Sequence, residues 1–280
     1  MTRIIIRQIL HIMLISMSMY STHVFAKTND AAAKVKWGYE GKIGPQHWGQ
    51  LDPAFAICAN GQTQSPINIS PETITKNTVL NLNYQAAPML IVDDGITELL
   101  IGKTQTIFND GHTIQLNFAH DADEKITYNG NAYWLVQFHI HTPGENKWQG
   151  QSFPMEIHFV HQSEDGLVVV ISVFVRNGKE NPAFKKIVAH VPKRPGAIMT
   201  IKGENINPID LMPVRQDFYG FTGSLTTPPC TEGVQWLVMA EPITASAVQI
   251  AKLKRAINGD NARPVQPLHG RQIFWAIKKS

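Results

Sequence analysis

The sequence predicts a mainly β fold, with α+β as the neighbouring assignment, in a single domain. Short segments rich in Val, Ile, Thr, Phe and Tyr recur along it with Gly, Asn, Asp or Pro between them, the pattern of strands and turns. Helix signals are few and do not alternate regularly with these segments, which disfavours a doubly wound parallel sheet. The 280-residue chain also shows neither an internal repeat nor a long linker, as expected of one large β domain.

Residues 1–26 read as a secretory signal. Arg3 and Arg7 precede an apolar stretch from Ile9 to Tyr20, and Ala26 supplies a small residue at the end of Val24-Phe25-Ala26. The stretch is too short for a membrane span; an anchor that is never cleaved is the alternative. The whole chain holds 25 Lys+Arg against 22 Asp+Glu, a formal +3. Residues 1–26 carry two Arg and no acid, so their removal leaves 254 residues at +1. Net charge therefore points to no acidic partner. With no long basic run and no phosphate-cradling glycine motif, nucleic acid and nucleotides are poor candidates as well. Residues 27–36 are polar and Ala/Lys-rich and read as a mobile leader, ahead of a folded domain over 37–280.

Strands are expected at 98–101, 104–109, 113–119, 132–142, 155–161, 167–176 and 234–240. The segment at 167–175 is apolar on both parities, which marks a central strand covered on both faces. Residues 181–190 suit one short helix. Ser246-Ala247-Val248-Gln249 has the form of a capping box, opening a second helix that Gly259 stops. Cys58 and Cys230 are the only two cysteines. In an exported chain they suit an intramolecular bridge, with two buried free thiols as the alternative. Such a bridge closes a long loop, worth roughly 4–5 kcal/mol in the chain-entropy model.

Of eleven histidines, most need no function, and three stand apart. In Gln137-Phe138-His139-Ile140-His141 the strand period puts Gln137, His139 and His141 on one face; Glu156-Ile157-His158 repeats the arrangement. Paired, the two strands converge three imidazoles, with Gln137 and Glu156 on the same face as acceptors for the second ring nitrogen. His161 falls on the opposite face. Three neutral imidazoles suit Zn²⁺ and leave a fourth position open, which is the catalytic arrangement. His139-x-His141-x-x-x-Glu145 also fits a cupin metal motif, in which Glu145 would be a ligand to iron or manganese.

Further motifs carry a family resemblance. Trp37-Gly38-Tyr39, Gly44-Pro45-Gln46-His47-Trp48, Gln64-Ser65-Pro66-Ile67-Asn68-Ile69, Asn109-Asp110-Gly111-His112, Gln137-Phe138-His139-Ile140-His141, Glu156-Ile157-His158, Ser224-Leu225-Thr226-Thr227-Pro228-Pro229-Cys230 and Gln266-Pro267-Leu268 occur in order over almost the whole mature chain. In these the sequence resembles the α-class carbonic anhydrases. The resemblance implies a large twisted, mostly antiparallel sheet with a few short peripheral helices, and zinc at the foot of a conical cavity.

It implies reversible hydration of carbon dioxide by zinc hydroxide, with His139, His141 and His158 as ligands and Gln137 and Glu156 behind them. Thr226 corresponds to a gatekeeper threonine that donates to Glu145, and His112 to a proton shuttle. Tyr39, Asp110 and Gln115 line the polar wall, and Thr227, Val160, Val169, Leu225, Val234 and Trp236 the substrate side. Cys58 and Cys230 match the bridge of exported members. The substrate is a small molecule, carbon dioxide or bicarbonate; a homodimer is compatible with the family, and the compartment is the periplasm or outside. A non-catalytic binding module of the same fold is the alternative, although such modules typically lack a ligand. Asn146 departs from the histidine that animal members tend to have after the glutamate.

Overall fold

A computed structural model describes residues 35–70, 74–85, 87–88, 106–109, 111–118, 124–199 and 205–277. The expected signal, most of the leader, the strand at 98–101 and Asp110 lie outside these residues. The strands that frame the site are β1 (Leu80–Asn83), β2 (Thr106–Asn109), β3 (Ile114–Asn117), β4 (Lys125–Tyr128), β5 (Asn131–His141), β6 (Met155–Gln162), β7 (Val168–Asn177), β8 (Phe218–Ser224), β9 (Glu232–Met239) and β10 (Phe274–Ala276).

They form one large sheet. Its main path runs from Ile198–Met199 through β2, β3, β5, β6, β7, β9, β8 and β10 to Ile74–Thr75, with β4 on β5 and β1 on β4. Most pairings are antiparallel, but β7 runs parallel to β9 and β10 to Ile74–Thr75, so the sheet is mixed at its centre. β7 is the strand whose residues are apolar on both parities. Val169, Ile171, Val173 and Val175 enter one core cluster, while Val170 and Phe174 enter the other. A strand paired on both edges and packed on both faces leaves no position for a polar residue without a partner.

β8 was not expected from the sequence, because Phe218-Tyr219-Gly220-Phe221-Thr222-Gly223-Ser224 contains two glycines. Gly220 is there for close approach: a Cβ would overlap the Phe274 ring of β10. Helix α1 (Pro182–His190) starts at Asn181, whose side chain accepts from the N–H groups of Ala183 and Phe184. Helix α2 (Ala247–Ala256) has the expected capping box, with Ser246 and Gln249 each satisfying the other's backbone. It ends where Asn258 turns left-handed at φ 64°. Five short helical turns between Gly41 and Asn60 were not anticipated; each is too short to show a helical period. They build a small cluster of Trp48, Phe55, Cys58 and Cys230, and Val35 packs on it.

On the sheet face away from the three histidines, His161 is buried between strands. Its Nδ1 faces the Val169 carbonyl at 3.3 Å, which can only accept, so Nδ1 carries the proton and Nε2 accepts from Tyr84 Oη at 2.6 Å. Burial pushes its pKa down to about 3, against a partial upward pull from its backbone hydrogen bonds. The unfolded chain protonates this residue near pH 6.5 and the native protein does not, so stability present above pH 6.5 is lost as pH falls toward 3. The loss approaches about 1.4 kcal/mol per pH unit. Urea unfolding at pH 7 and pH 4.5 should show wild type losing about 2 kcal/mol more than His161→Gln; parallel losses would contradict this.

Candidate metal centre

The register of β5 and β6 assembles the three imidazoles. His158 is paired with His139 and Glu156 with His141, so all three rings rise from one face. Each ring is fixed through the nitrogen that points away from its neighbours. His139 Nδ1 meets Gln137 Oε1 at 2.8 Å. His141 Nδ1 donates to the backbone carbonyl of Asn261 at 2.7 Å. His158 Nε2 donates to Glu156 Oε1 at 2.9 Å. These acceptors dictate tautomers, leaving Nε2 of His139, Nε2 of His141 and Nδ1 of His158 without a proton. The ligand atoms offered by the three residues lie within 4.8 Å of one another. Burial first, then the neighbouring His141 and His158, holds the pKa of His139 well below its ordinary value. Three neutral, converging imidazole nitrogens are a donor set that fits a divalent metal such as zinc.

Glu156 has an uncommon degree of support. Its Oε1 accepts from Ser172 Oγ at 2.5 Å, Asn146 Nδ2 at 2.7 Å and His158; its Oε2 accepts from Asn146 N at 2.8 Å. Burial alone would raise its pKa, but the attraction of His158 and these hydrogen bonds lower it. Asn146 also accepts from Ile67 N at 3.0 Å through Oδ1, which ties the Gln64–Ile69 segment to the centre. Ser172 and Asn261 were not anticipated: Ser172 sits alone in an apolar strand, and Asn261 acts through its backbone oxygen, which any residue would supply.

Glu145, 2% exposed, lies beside the rings, its Oε2 3.4 Å from His141 Nε2 and 3.8 Å from His158 Nδ1. Its Oε1 accepts from Arg263 N at 2.8 Å. Burial raises its pKa to about 7, while His158, the Arg263 N–H and the Thr226 hydroxyl pull it down. Thr226 is buried on a loop pinned at both ends: Leu225 N donates to Thr231 O at 2.9 Å and Cys230 N to Thr227 O at 2.8 Å. The bridge between Cys58 and Cys230 is formed. Arg263, also buried, ties the same region together through Nη1 to Gln64 Oε1 at 2.9 Å and Ser65 O at 2.7 Å, and Nη2 to Cys58 O at 2.8 Å.

His112 follows the turn at Gly111, whose φ is +87°. Its ring is stacked on Trp37 at 3.9 Å and 11°, with Nε2 3.1 Å from Trp37 O. Tyr39 meets it edge-on at 6.4 Å. Gln115 pairs with His139 across the sheet and donates to Asn117 Oδ1 at 2.5 Å.

On the apolar side, Val234 and Trp236 share a cluster against which Val160 and Leu225 pack, and Trp236 lies edge-on to His158 at 4.8 Å. Val169 is a correction. It faces the opposite core, paired with His161, whereas Val170 is paired with Val160 and joins the Trp236 cluster. In a strand apolar on both parities, nothing in the sequence fixes which valine faces the site.

Comparison with known proteins fits this geometry. The family model described as eukaryotic-type carbonic anhydrase matches residues 43–277. The chain belongs to the eukaryotic-type, or alpha, carbonic anhydrase family. It is 38% identical over 248 residues to the carbonic anhydrase of Pectobacterium atrosepticum, covering 87% of this chain and 92% of that protein. It is 37% identical over 262 residues to that of Klebsiella pneumoniae, covering 93% and 96% respectively. The solved α-carbonic anhydrase of Photobacterium profundum superposes with a TM-score of 0.74 at 38% identity, over 85% of this chain and all of that one.

Membership in the carbonic anhydrases sets aside the cupin reading, and with it Glu145 as a metal ligand; the grouped ligand atoms come from the three histidines alone among the described residues. Carbon dioxide hydration is the activity that this family supports. Within this carbonic anhydrase, Ser172→Ala removes a buried hydrogen bond to a charged group. It should cost about 1.5–3 kcal/mol in urea unfolding and weaken zinc binding about tenfold in chelator competition. Unchanged affinity would mean that Ser172 does not support the His158 ring.

Proposed function

We propose that this enzyme reversibly hydrates carbon dioxide with Zn²⁺ held by His139, His141 and His158, and that it works in the periplasm or outside the cell. The observation that carries the metal assignment is the set of three outward acceptors, Gln137 Oε1, the Asn261 carbonyl and Glu156 Oε1, each taking the proton-bearing nitrogen of one ring. Export is supported by the Cys58–Cys230 disulfide and by the signal-like sequence of residues 1–26. Among the described residues no helix is long and apolar enough to cross a membrane.

Zinc, when bound, supplies an electrophilic centre that lowers the pKa of a coordinated water to about 7, a value for which carbonic anhydrases are themselves the reference case. The protein's part is orientation, exclusion of water and proton movement. A nearby dication favours the ionised form of Glu145. An ionised carboxylate only accepts, so the Thr226 hydroxyl donates to it and turns its oxygen lone pairs toward the reaction space. Thr226 then accepts the nucleophile's proton in a hydrogen bond, aiming the nucleophile's lone pair at carbon.

Carbon dioxide has no dipole and loses little by leaving water, so Val160, Val170, Leu225, Val234 and Trp236 hold it where water finds no partner. Thr227 lies beside Thr226 as the neighbouring polar contact for bicarbonate. His112, stacked on Trp37 with Tyr39 and Gln115 near the path, carries the released proton to solvent; an imidazole both takes and gives protons near neutral pH.

Zinc content measured with stopped-flow carbon dioxide hydration tests the reading; metal-loaded protein without hydration activity would overturn it. Thr226→Ala should lower the hydration rate about 100-fold with zinc retained, and an unchanged rate would reject its role. His112→Ala should slow turnover in dilute buffer and regain it with added imidazole, whereas equal rates in the two proteins would exclude it as the shuttle.

A further inference from the structure

The turn that presents His112 is fastened to the ligand strand through two buried side chains, Asn261 and Thr113, whose hydroxyl also accepts from Ile140 N at 3.2 Å. Asn261, 1% exposed, donates from Nδ2 to His112 O at 2.9 Å and to Ile140 O at 2.9 Å. Its Oδ1 accepts from Thr142 N at 2.7 Å, and its own N–H donates to Thr142 O at 3.2 Å. Its backbone oxygen is the acceptor that orients His141. The same Ile140 carbonyl takes a second bond from Thr113 Oγ1 at 2.5 Å, so residues on both sides of the 112–113 peptide are anchored to one point of β5. On its far side the His112 ring rests on Trp37.

We propose that Asn261 is a positioning residue for proton transfer: its carboxamide holds the His112 backbone at a fixed offset from the ligand strand and so keeps the imidazole seated over Trp37. The inference rests on the reading of His112 as the proton carrier. Two carbonyls from different segments converge on one amide nitrogen, and only a carboxamide of this length provides two donors there while its oxygen caps Thr142. Proton transfer is sensitive to such placement; a displacement near 1 Å costs up to about 100-fold in comparable positioning effects.

Asn261→Asp keeps the shape but sets an acceptor against two carbonyls, and Asn261→Ser removes the carboxamide without adding charge. Two readouts apply to the zinc-loaded protein. In NMR, the His112 Cε1–H signal, assigned by its loss in His112→Ala, should be displaced in wild type by the Trp37 ring current and should move toward the unstacked position in either variant. In stopped flow, kcat in dilute buffer should fall about tenfold and recover with imidazole, while kcat/KM changes much less. Asn261→Asp should add no further loss of turnover in a His112→Ala background. An unmoved His112 signal in a folded variant, an equal fall in kcat and kcat/KM, or an additive loss in the double variant would each overturn the proposal. If His112→Ala alone leaves turnover unchanged, the proton-carrier reading is what fails, and the NMR signal still decides whether Asn261 seats the ring.

Discussion

Three imidazoles crowded onto one sheet face must each offer an unprotonated nitrogen to the same point, and the arrangement around them answers that constraint. Protonation of any one would bury a charge beside two further rings. Desolvation and mutual repulsion hold the pKa of His139 down, and three acceptors decide where each remaining ring proton sits. Glu156 completes the logic. It is a buried carboxylate held by hydrogen bonds from Ser172, Asn146 and His158, and an ionised carboxylate only accepts, so it fixes the His158 ring proton at Nε2.

The frame around this centre is stiff for reasons of packing and hydrogen bonding alike. β7 lies in the middle of the sheet and contributes to both cores, with Ser172 as its one buried polar side chain on the face of the three histidines. The Gln64–Ser65 segment, the Cys58 turn and the Glu145 loop meet at Arg263, whose guanidinium serves backbone carbonyls and Gln64 while its backbone N–H serves Glu145. Burial lowers the pKa of that guanidinium to about 10, with Glu145 pulling it upward, so it remains charged at any working pH. The Thr226 loop, tied through Cys230 to Cys58, has little freedom to reorganise, as electrostatic preorganisation requires.

Much of this was legible in the sequence. Period-two spacing placed His139, His141, Gln137, His158 and Glu156 on one face, and the register of β5 and β6 bears that out. The capping box at Ser246 was equally explicit. What was illegible shares a cause. Asn261 contributes a backbone carbonyl, Arg263 an N–H, and Ser172 a hydroxyl in an apolar strand; none of these has a signature in residue type and spacing. Val169 and Val170 could not be told apart where both parities are apolar, and β8 was hidden by Gly220, which makes room for Phe274, and Gly223, which makes room for Ser65. Sequence reports side-chain chemistry well and long-range backbone partnership poorly.

The central claim is that the centre is preorganised before any metal arrives, and ring nitrogen NMR on the metal-free protein tests it most directly. The account predicts one fixed ring proton facing each acceptor: Nδ1 of His139, Nδ1 of His141 and Nε2 of His158. Added zinc should then shift Nε2 of His139, Nε2 of His141 and Nδ1 of His158. Averaged tautomers would contradict it.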